Sequence, residues 1–454
     1  MSLKRIFYLI AVSSLFLLSI IFAQNKLQLI ATMTGEKQGD RFSVVAGVGD
    51  VNGDGYDDVL VGAPGGNYAR LYFGGSPFDT LNYVKLVPDQ AFTFGESVAG
   101  GGDLNGDGFA DFIIGAPQSS VFEPEYYSHA GKVFVYLGGS EISNKPYLVL
   151  KGAGWRYDFG RSVAFAGDVN NDGYDDIIIG APNDEIDAHG RAYIYFGGAG
   201  MDSVADVLIE GEEACDMLGW SVAGAGDVNR DGFDDVIIGA PQMLSQKAIG
   251  KAYLIYGGDE IGLFNSYEFI GDTTKHDFGR WVAGLGDINC DGFCDFGIMT
   301  PEYVSVVSGL SSKLLIDLFT SSEGAFQSIS NKGDINNDGF YDICVGLENQ
   351  AAQYTGKVAI YLGSTNPDTI PDYQIEGQTP HYYFGYSVAF AGDINNDGFH
   401  EIIIGEQQYF VNRKPGKVYI YSYYGGNKVE EKNKLNFQKD FQLDQNYPNP
   451  FNSY

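Results

Sequence analysis

One nine-residue pattern, Asp-x-Asn-x-Asp-Gly-[Phe/Tyr]-x-[Asp/Glu], occurs seven times in the chain and carries the donor set for a hard cation. Oxygen side chains alternate along the loop, the glycine permits a sharp turn, and the carbonyl of the aromatic residue fills a gap. The first four copies place Asp50, Asn52, Asp54 and Asp58; Asp103, Asn105, Asp107 and Asp111; Asp168, Asn170, Asp172 and Asp176; and Asp227, Asn229, Asp231 and Asp235. The other three place Asp287, Asn289, Asp291 and Asp295; Asp334, Asn336, Asp338 and Asp342; and Asp393, Asn395, Asp397 and Glu401. Tyr56, Phe109, Tyr174, Phe233, Phe293, Phe340 and Phe399 offer the backbone carbonyl, while their rings read as core plugs between blades. Calcium fits this set, up to seven structural ions. Magnesium demands near-octahedral geometry, and the sulfur and imidazole ligands of zinc or copper are missing from these positions. An EF-hand is excluded because Val61 stands where its last glutamate would. A single copy reads equally well as a metal-free Asp/Asn/Gly turn, but seven in register favour the cation.

The elements that must hold these loops follow from their flanks. The copies begin 53, 65, 59, 60, 47 and 59 residues apart, the repeat length of a β-propeller blade. Around the third copy, Ser162 to Gly167 and Ile177 to Pro182 are short runs closed by Gly and Pro, read as two buried strands. Gly190 to Gly198 makes a third strand and Val204 to Glu210 a fourth. No segment keeps a helical apolar period, so the fold class is all-β: a seven-bladed β-propeller of four-stranded antiparallel blades. The last blade lacks its own fourth strand after Lys417 to Tyr421, and Leu27 to Ala31 has the right character to complete it. An N-terminal strand then closes the ring and removes open edges.

Charge and termini set the compartment. With 59 acidic against 28 basic residues the net charge is −31, which disfavours nucleic acid and anionic membranes. The loops account for 21 of those carboxylates, and seven calcium ions would bring the charge to −17. Lys4 and Arg5 before the apolar run Ile6 to Ala23 read as a signal peptide over residues 1–23. No later run approaches the ~20 apolar residues of a span, so the mature chain has no membrane span. Cys290 and Cys294 are near enough in sequence to pair, whereas Cys215 and Cys344 read as small buried hydrophobes.

Phe94-Gly95 with Gly115-Ala116-Pro117, Phe159-Gly160 with Gly180-Ala181-Pro182, and Leu218-Gly219 with Gly239-Ala240-Pro241 resemble FG-GAP repeats, the units of integrin α-chain propellers. The resemblance covers residues 27–425. Departures are Phe42-Ser43, Phe326-Gln327, Thr300-Pro301, Gly346-Leu347-Glu348 and Gly405-Glu406-Gln407, which bear on turn geometry rather than fold. It implies calcium loops on a lower face that bind no ligand, and recognition by loops of the upper face. A second resemblance lies in Phe441 to Asn452, which is similar to the opening of a type IX secretion C-terminal sorting domain. It implies export by the type IX machinery to the cell surface or medium, a truncated sorting domain over 441–454, and a linker over 426–440.

Upper-face aromatics Tyr126, Tyr127, Trp155, Tyr157, Tyr382 and Tyr383 are the candidate ligand contacts, with packing between blades as the alternative. The reading is a secreted or cell-surface, calcium-stabilised, non-catalytic binding or adhesion module for an extracellular protein or glycan. The alternatives are a polysaccharide lyase or hydrolase, since fold alone does not decide activity, and a structural component of a surface assembly. Against an enzyme, the histidines form no recognisable catalytic motif.

Overall fold

The computed structural model describes residues 26–424 except 122–127, 155, 184–188, 214, 243–248, 272–276, 310, 312, 320–324, 349–353 and 408–413. The signal segment, the linker, the sorting motif, Tyr126, Tyr127 and Trp155 therefore lie outside the described residues. Residues 29–422 form one compact unit. Residues 26–28 and 423–424 belong to a second, in which Lys26 Nζ donates to Tyr423 Oη at 3.1 Å.

Seven four-stranded antiparallel sheets make up the larger unit. From the axis outward, blade one is Val44–Gly49, Asp58–Ala63, Tyr68–Tyr72 and Tyr83–Leu86. Blade two is Ser97–Gly102, Asp111–Ala116, Lys132–Tyr136 and Leu148–Lys151; blade three is Ser162–Gly167, Asp176–Ala181, Arg191–Tyr195 and Val207–Glu210. Blade four is Ser221–Gly226, Asp235–Ala240, Lys251–Ile255 and Ser266–Ile270; blade five is Trp281–Gly286, Asp295–Met299, Tyr303–Ser308 and Lys313–Phe319. Blade six is Phe326–Ile329, Ile343–Leu347, Lys357–Tyr361 and Tyr373–Glu376. In blade seven, Phe384–Gly392, Glu401–Glu406 and Lys417–Tyr423 are completed on the outside by Leu27–Thr34. The sequence-based expectation of a ring closed by an N-terminal strand holds.

Each strand's composition matches its radius. Second strands such as Asp176–Ala181 are buried at every residue because blades pack on both faces, which is why they read as continuous apolar runs. Outer strands such as Val207–Glu210 alternate and face solvent on one side. Inner strands are rich in Ala and Gly because seven of them converge on one axis, leaving a central cavity of about 430 Å³. Phe42, Phe94, Phe159 and Phe326 are at most 1% exposed at the upper ends of the blades, and such burial stabilises by about 2 kcal/mol each.

Polar contacts reinforce closure between blades seven and one. Val45 N donates to Ser387 Oγ at 3.2 Å, Asp393 N to Asp57 Oδ2 at 2.7 Å, and Gly416 N to Asp40 Oδ1 at 3.3 Å. Asp40, fully buried, also accepts from Tyr68 Oη at 2.7 Å. A buried carboxylate satisfied in this way is stabilising, and losing one donor would leave it exposed to the full cost of burial.

Candidate metal loops and ligand face

All seven acidic loops connect a first to a second strand and so share the lower face. In the first loop, Asp50 Oδ1 accepts from Asp54 N at 3.1 Å and Asp50 Oδ2 from Gly55 N at 2.8 Å. Asn52 Oδ1 accepts from Asp54 N at 2.9 Å, and Asp54 Oδ1 from Tyr56 N at 3.0 Å. These bonds wind the backbone inward, and the glycine turns it with φ of 88° at Gly55 and 94° at Gly173. An L side chain rarely adopts that conformation, which explains the glycine the motif requires.

The last acidic residue of each loop behaves differently. Asp58, Asp111, Asp176, Asp235, Asp295, Asp342 and Glu401 are fully buried. Asp58 accepts from Val51 N at 3.0 Å and from Gly74 N at 2.8 Å, tying its loop to the end of the blade's third strand. The same pair of bonds recurs through Asp342, with Ile335 N and Gly363 N. In the seventh loop the longer Glu401 accepts from Ile394 N at 3.0 Å and from Asn395 Nδ2 at 2.6 Å, so its asparagine is turned toward the carboxylate. Burial pushes Asp58 up to about 7 and Glu401 up to about 8; backbone donors oppose the shift, and the nearby loop aspartates add to it. Carboxylates close enough to repel one another, held by hard-oxygen chemistry throughout, fit a divalent cation that would offset that repulsion. Among the described residues, no three His, Cys, Asp or Glu side chains are gathered at metal-ligating separations.

The position-7 rings are half-buried, and those of Phe109 and Tyr174 lie against the loop of the preceding blade. A Cβ on Gly53 would fall 2.6 Å from the Phe109 ring, and one on Gly106 would fall 2.7 Å from the Tyr174 ring. Arg230 lies 4.3 Å over Phe293, and its Nε donates to Gly292 O. The most deeply buried phenylalanines outside the strands are Phe42, Phe94 and Phe159, which stand just before the inner strands.

Sequence reasoning missed the residue before the buried carboxylate in four of the loops, Asp57, Asp175, Asp234 and His400. Asp175 Oδ2 accepts from Asp103 N at 2.7 Å and Asp234 Oδ2 from Asp168 N at 3.0 Å, each stitching one loop to the loop of the preceding blade. In blade seven His400 Nδ1 takes this role toward Asp334 N at 3.2 Å. The Asp-Asp doublets at 57–58, 175–176 and 234–235 were the available signal. Cys290 and Cys294 are thiols rather than a bridge, and Cys290 Sγ donates to Gly339 O at 3.2 Å.

On the upper face, Tyr382 is buried at 6% exposure. Tyr157 is half-buried under the Arg191 guanidinium, 4.8 Å from its ring, and Tyr383 packs 5.8 Å from Tyr354. The described aromatics therefore pack chiefly within the protein.

Residues 42–76, 94–136, 159–195, 218–255 and 384–421 match the family described as FG-GAP repeat, which are blades one to four and seven. Integrin alpha-5 of Xenopus laevis is 33% identical over 211 residues, 44% of this chain and 20% of that protein. Integrin alpha-V of Gallus gallus is 33% identical over 207 residues, 42% of this chain and 19% of that protein. Integrin alpha-4 of Xenopus laevis is 36% identical over 283 residues, 58% of this chain and 25% of that protein. The chain thus spans a fifth to a quarter of the length of these relatives. Among the described residues no helix is long and apolar enough to cross a membrane.

Proposed function

We propose that this chain of FG-GAP repeats, similar to the propeller-bearing part of integrin α chains, is an extracellular, non-catalytic binding or adhesion module stabilised by calcium. The observation that carries the reading is the segregation of seven complete acidic loops to one face of the propeller, which leaves the opposite face for recognition. Calcium would be held by Asp and Asn oxygens of the loops, with Asp58 and its equivalents bracing them from beneath. A cation there supplies charge neutralisation and ties down turns that otherwise crowd like charges. The ligand is an extracellular protein or glycan, and export proceeds through the signal segment and the type IX machinery.

Two measurements test this. The full chain is applied in calcium to immobilised polysaccharides and matrix proteins, and the supernatant is assayed for released product. Retention without product supports the module, and product release overturns it. Thermal melts in calcium and in chelator test the metal: each site filled at a hundred times its Kd adds about 2.7 kcal/mol, so chelation is expected to lower Tm. Superimposable melts would rule out structural calcium.

A further inference from the structure

The residue after each Phe-Gly turn, Leu-Gly in blade four, stands just before an inner strand that lines the axial cavity, at the strand end opposite the acidic loop, and in blades three, four and five it is Arg161, Trp220 and Arg280. Their positions are equivalent. The residues that follow, Ser162, Ser221 and Trp281, pair with Gly180, Gly239 and Met299 in the same register. Neighbouring strands are joined there by Val222 N to Ser162 Oγ and Val282 N to Ser221 Oγ, both 3.1 Å, so the three residues form a continuous arc. Val163 and Val282, two residues beyond the arginines, line the cavity itself.

Each arginine is stacked on an indole. The Arg161 guanidinium lies 4.4 Å over Trp220, and that of Arg280 lies 4.6 Å over Trp281. Arg280 also meets Asp277 at 3.4 Å, yet its buried Nε has no partner among the described residues. No carboxylate pairs with Arg161 among the described residues. A stacked guanidinium is ordered in advance and keeps its planar N–H edge for bidentate capture of a carboxylate. In a chain of net charge −31, two such cations in one arc are complementary to an anion and are at odds with a cationic ligand.

We propose that this arc binds an acidic polysaccharide, with uronate carboxylates on Arg161 and Arg280 and a sugar face against Trp220. The inference rests on the reading of the upper face as the ligand face. A linear polymer is favoured over an acidic protein because Arg161 and Arg280 hold equivalent positions in blades three and five on either side of Trp220 in blade four, and a uronan repeats its carboxylate at every sugar. Indole and guanidinium are also the groups that dominate compact recognition patches.

The test uses the full chain in calcium with polygalacturonate, neutral dextran and gelatin as immobilised probes, and thermal melts verify folding. Retention on polygalacturonate is expected, weakened about 10-fold by Arg161→Gln or Arg280→Gln alone and more by both, and falling with salt. Arg161→Lys with Arg280→Lys keeps the charge but loses the fork, and is expected to restore only part of the affinity. Asp277→Asn releases Arg280 and is expected to tighten binding several-fold, which serves as the check if the glutamine variants fail to fold. Wild-type affinity in the folded double glutamine variant, equal retention on dextran, or arginine-dependent retention on gelatin alone would each overturn the proposal. Gelatin or dextran retention that ignores both arginines overturns it while leaving the binding module intact; galacturonate released into the supernatant instead overturns the non-catalytic reading.

Discussion

The seam between blades five and six differs from the seams of the other blades in the way neighbours are keyed together. In blades one, two, three, four and six, a Cβ on Gly62, Gly115, Gly180, Gly239 or Gly346 would fall within 2.2 Å of the carbonyl oxygen of Gly95, Gly160, Gly219, Gly279 or Gly385 in the next blade. The glycine of Gly-Ala-Pro is therefore demanded by the Phe-Gly turn of the following blade. Blade six has Phe326-Gln327 in place of Phe-Gly, and blade five, which precedes it, has Met299 where the glycine would be. Both halves of the key are lost together. The seam is refilled by a size exchange: Gly297 of blade five leaves room into which Ile329 of blade six extends, since a Cβ on Gly297 would lie 2.8 Å from Ile329 Cδ1. What reads in sequence as two degenerate repeats is one interface rebuilt with a different lock.

The largest effect is expected where the key is intact. Gly239→Val drives a side chain into the Gly279 carbonyl and should cost about 3 kcal/mol or more in chemical denaturation. At the rebuilt seam the opposite change is harmful: Met299→Gly empties a fully buried site and should cost about 2–5 kcal/mol. If Met299→Gly were neutral and Gly239→Val tolerated, the two interfaces would not differ as described.

A double-mutant cycle sharpens the same contrast at smaller scale. Gly297→Ala and Ile329→Ala are each expected to destabilise, and together to cost less than their sum by about 1 kcal/mol, because the second removes the atom the first strikes. Strict additivity would show that the two residues do not compensate one another.

The smallest effect is expected at the departure in blade seven, where Glu406 replaces the small residue of the motif. The residue is 2% exposed, its carboxyl accepts from Tyr419 Oη at 2.8 Å, and burial raises its pKa. A raised folded-state pKa means that stability is fully present below the unfolded value and is lost as pH rises through the folded value. Glu406→Gln keeps an acceptor without the charge, so the variant should gain on the wild type as pH is raised from acid to neutral, read as the difference between their Tm values. A constant difference across that range would show that Glu406 does not ionise differently on folding.

Much of this was legible locally. The alternation of oxygens in Asp50 to Asp58, the apolar run Ile177 to Ile179 and the unmatched strand at Leu27 each report a short-range requirement, and those requirements imply blades, a common loop face and ring closure. The upper face was not legible. Tyr382 looks like a contact residue in sequence but is buried, whereas Arg161 and Arg280 attract no notice until the indoles of Trp220 and Trp281 are seen beneath them.

From sequence alone the chain's repeat number, its all-β character and the hard-oxygen chemistry of its loops could be determined, because turns and strand patterns depend on residues a few positions apart. Only the tertiary structure decided which residues join one blade to the next: Asp175 to the Asp103 amide, Gly239 to the Gly279 carbonyl, Ile329 to the space left by Gly297. Those partners lie in different repeats. Their selection depends on the closeness of two backbones across a packed interface, a steric condition that no periodicity within one strand encodes.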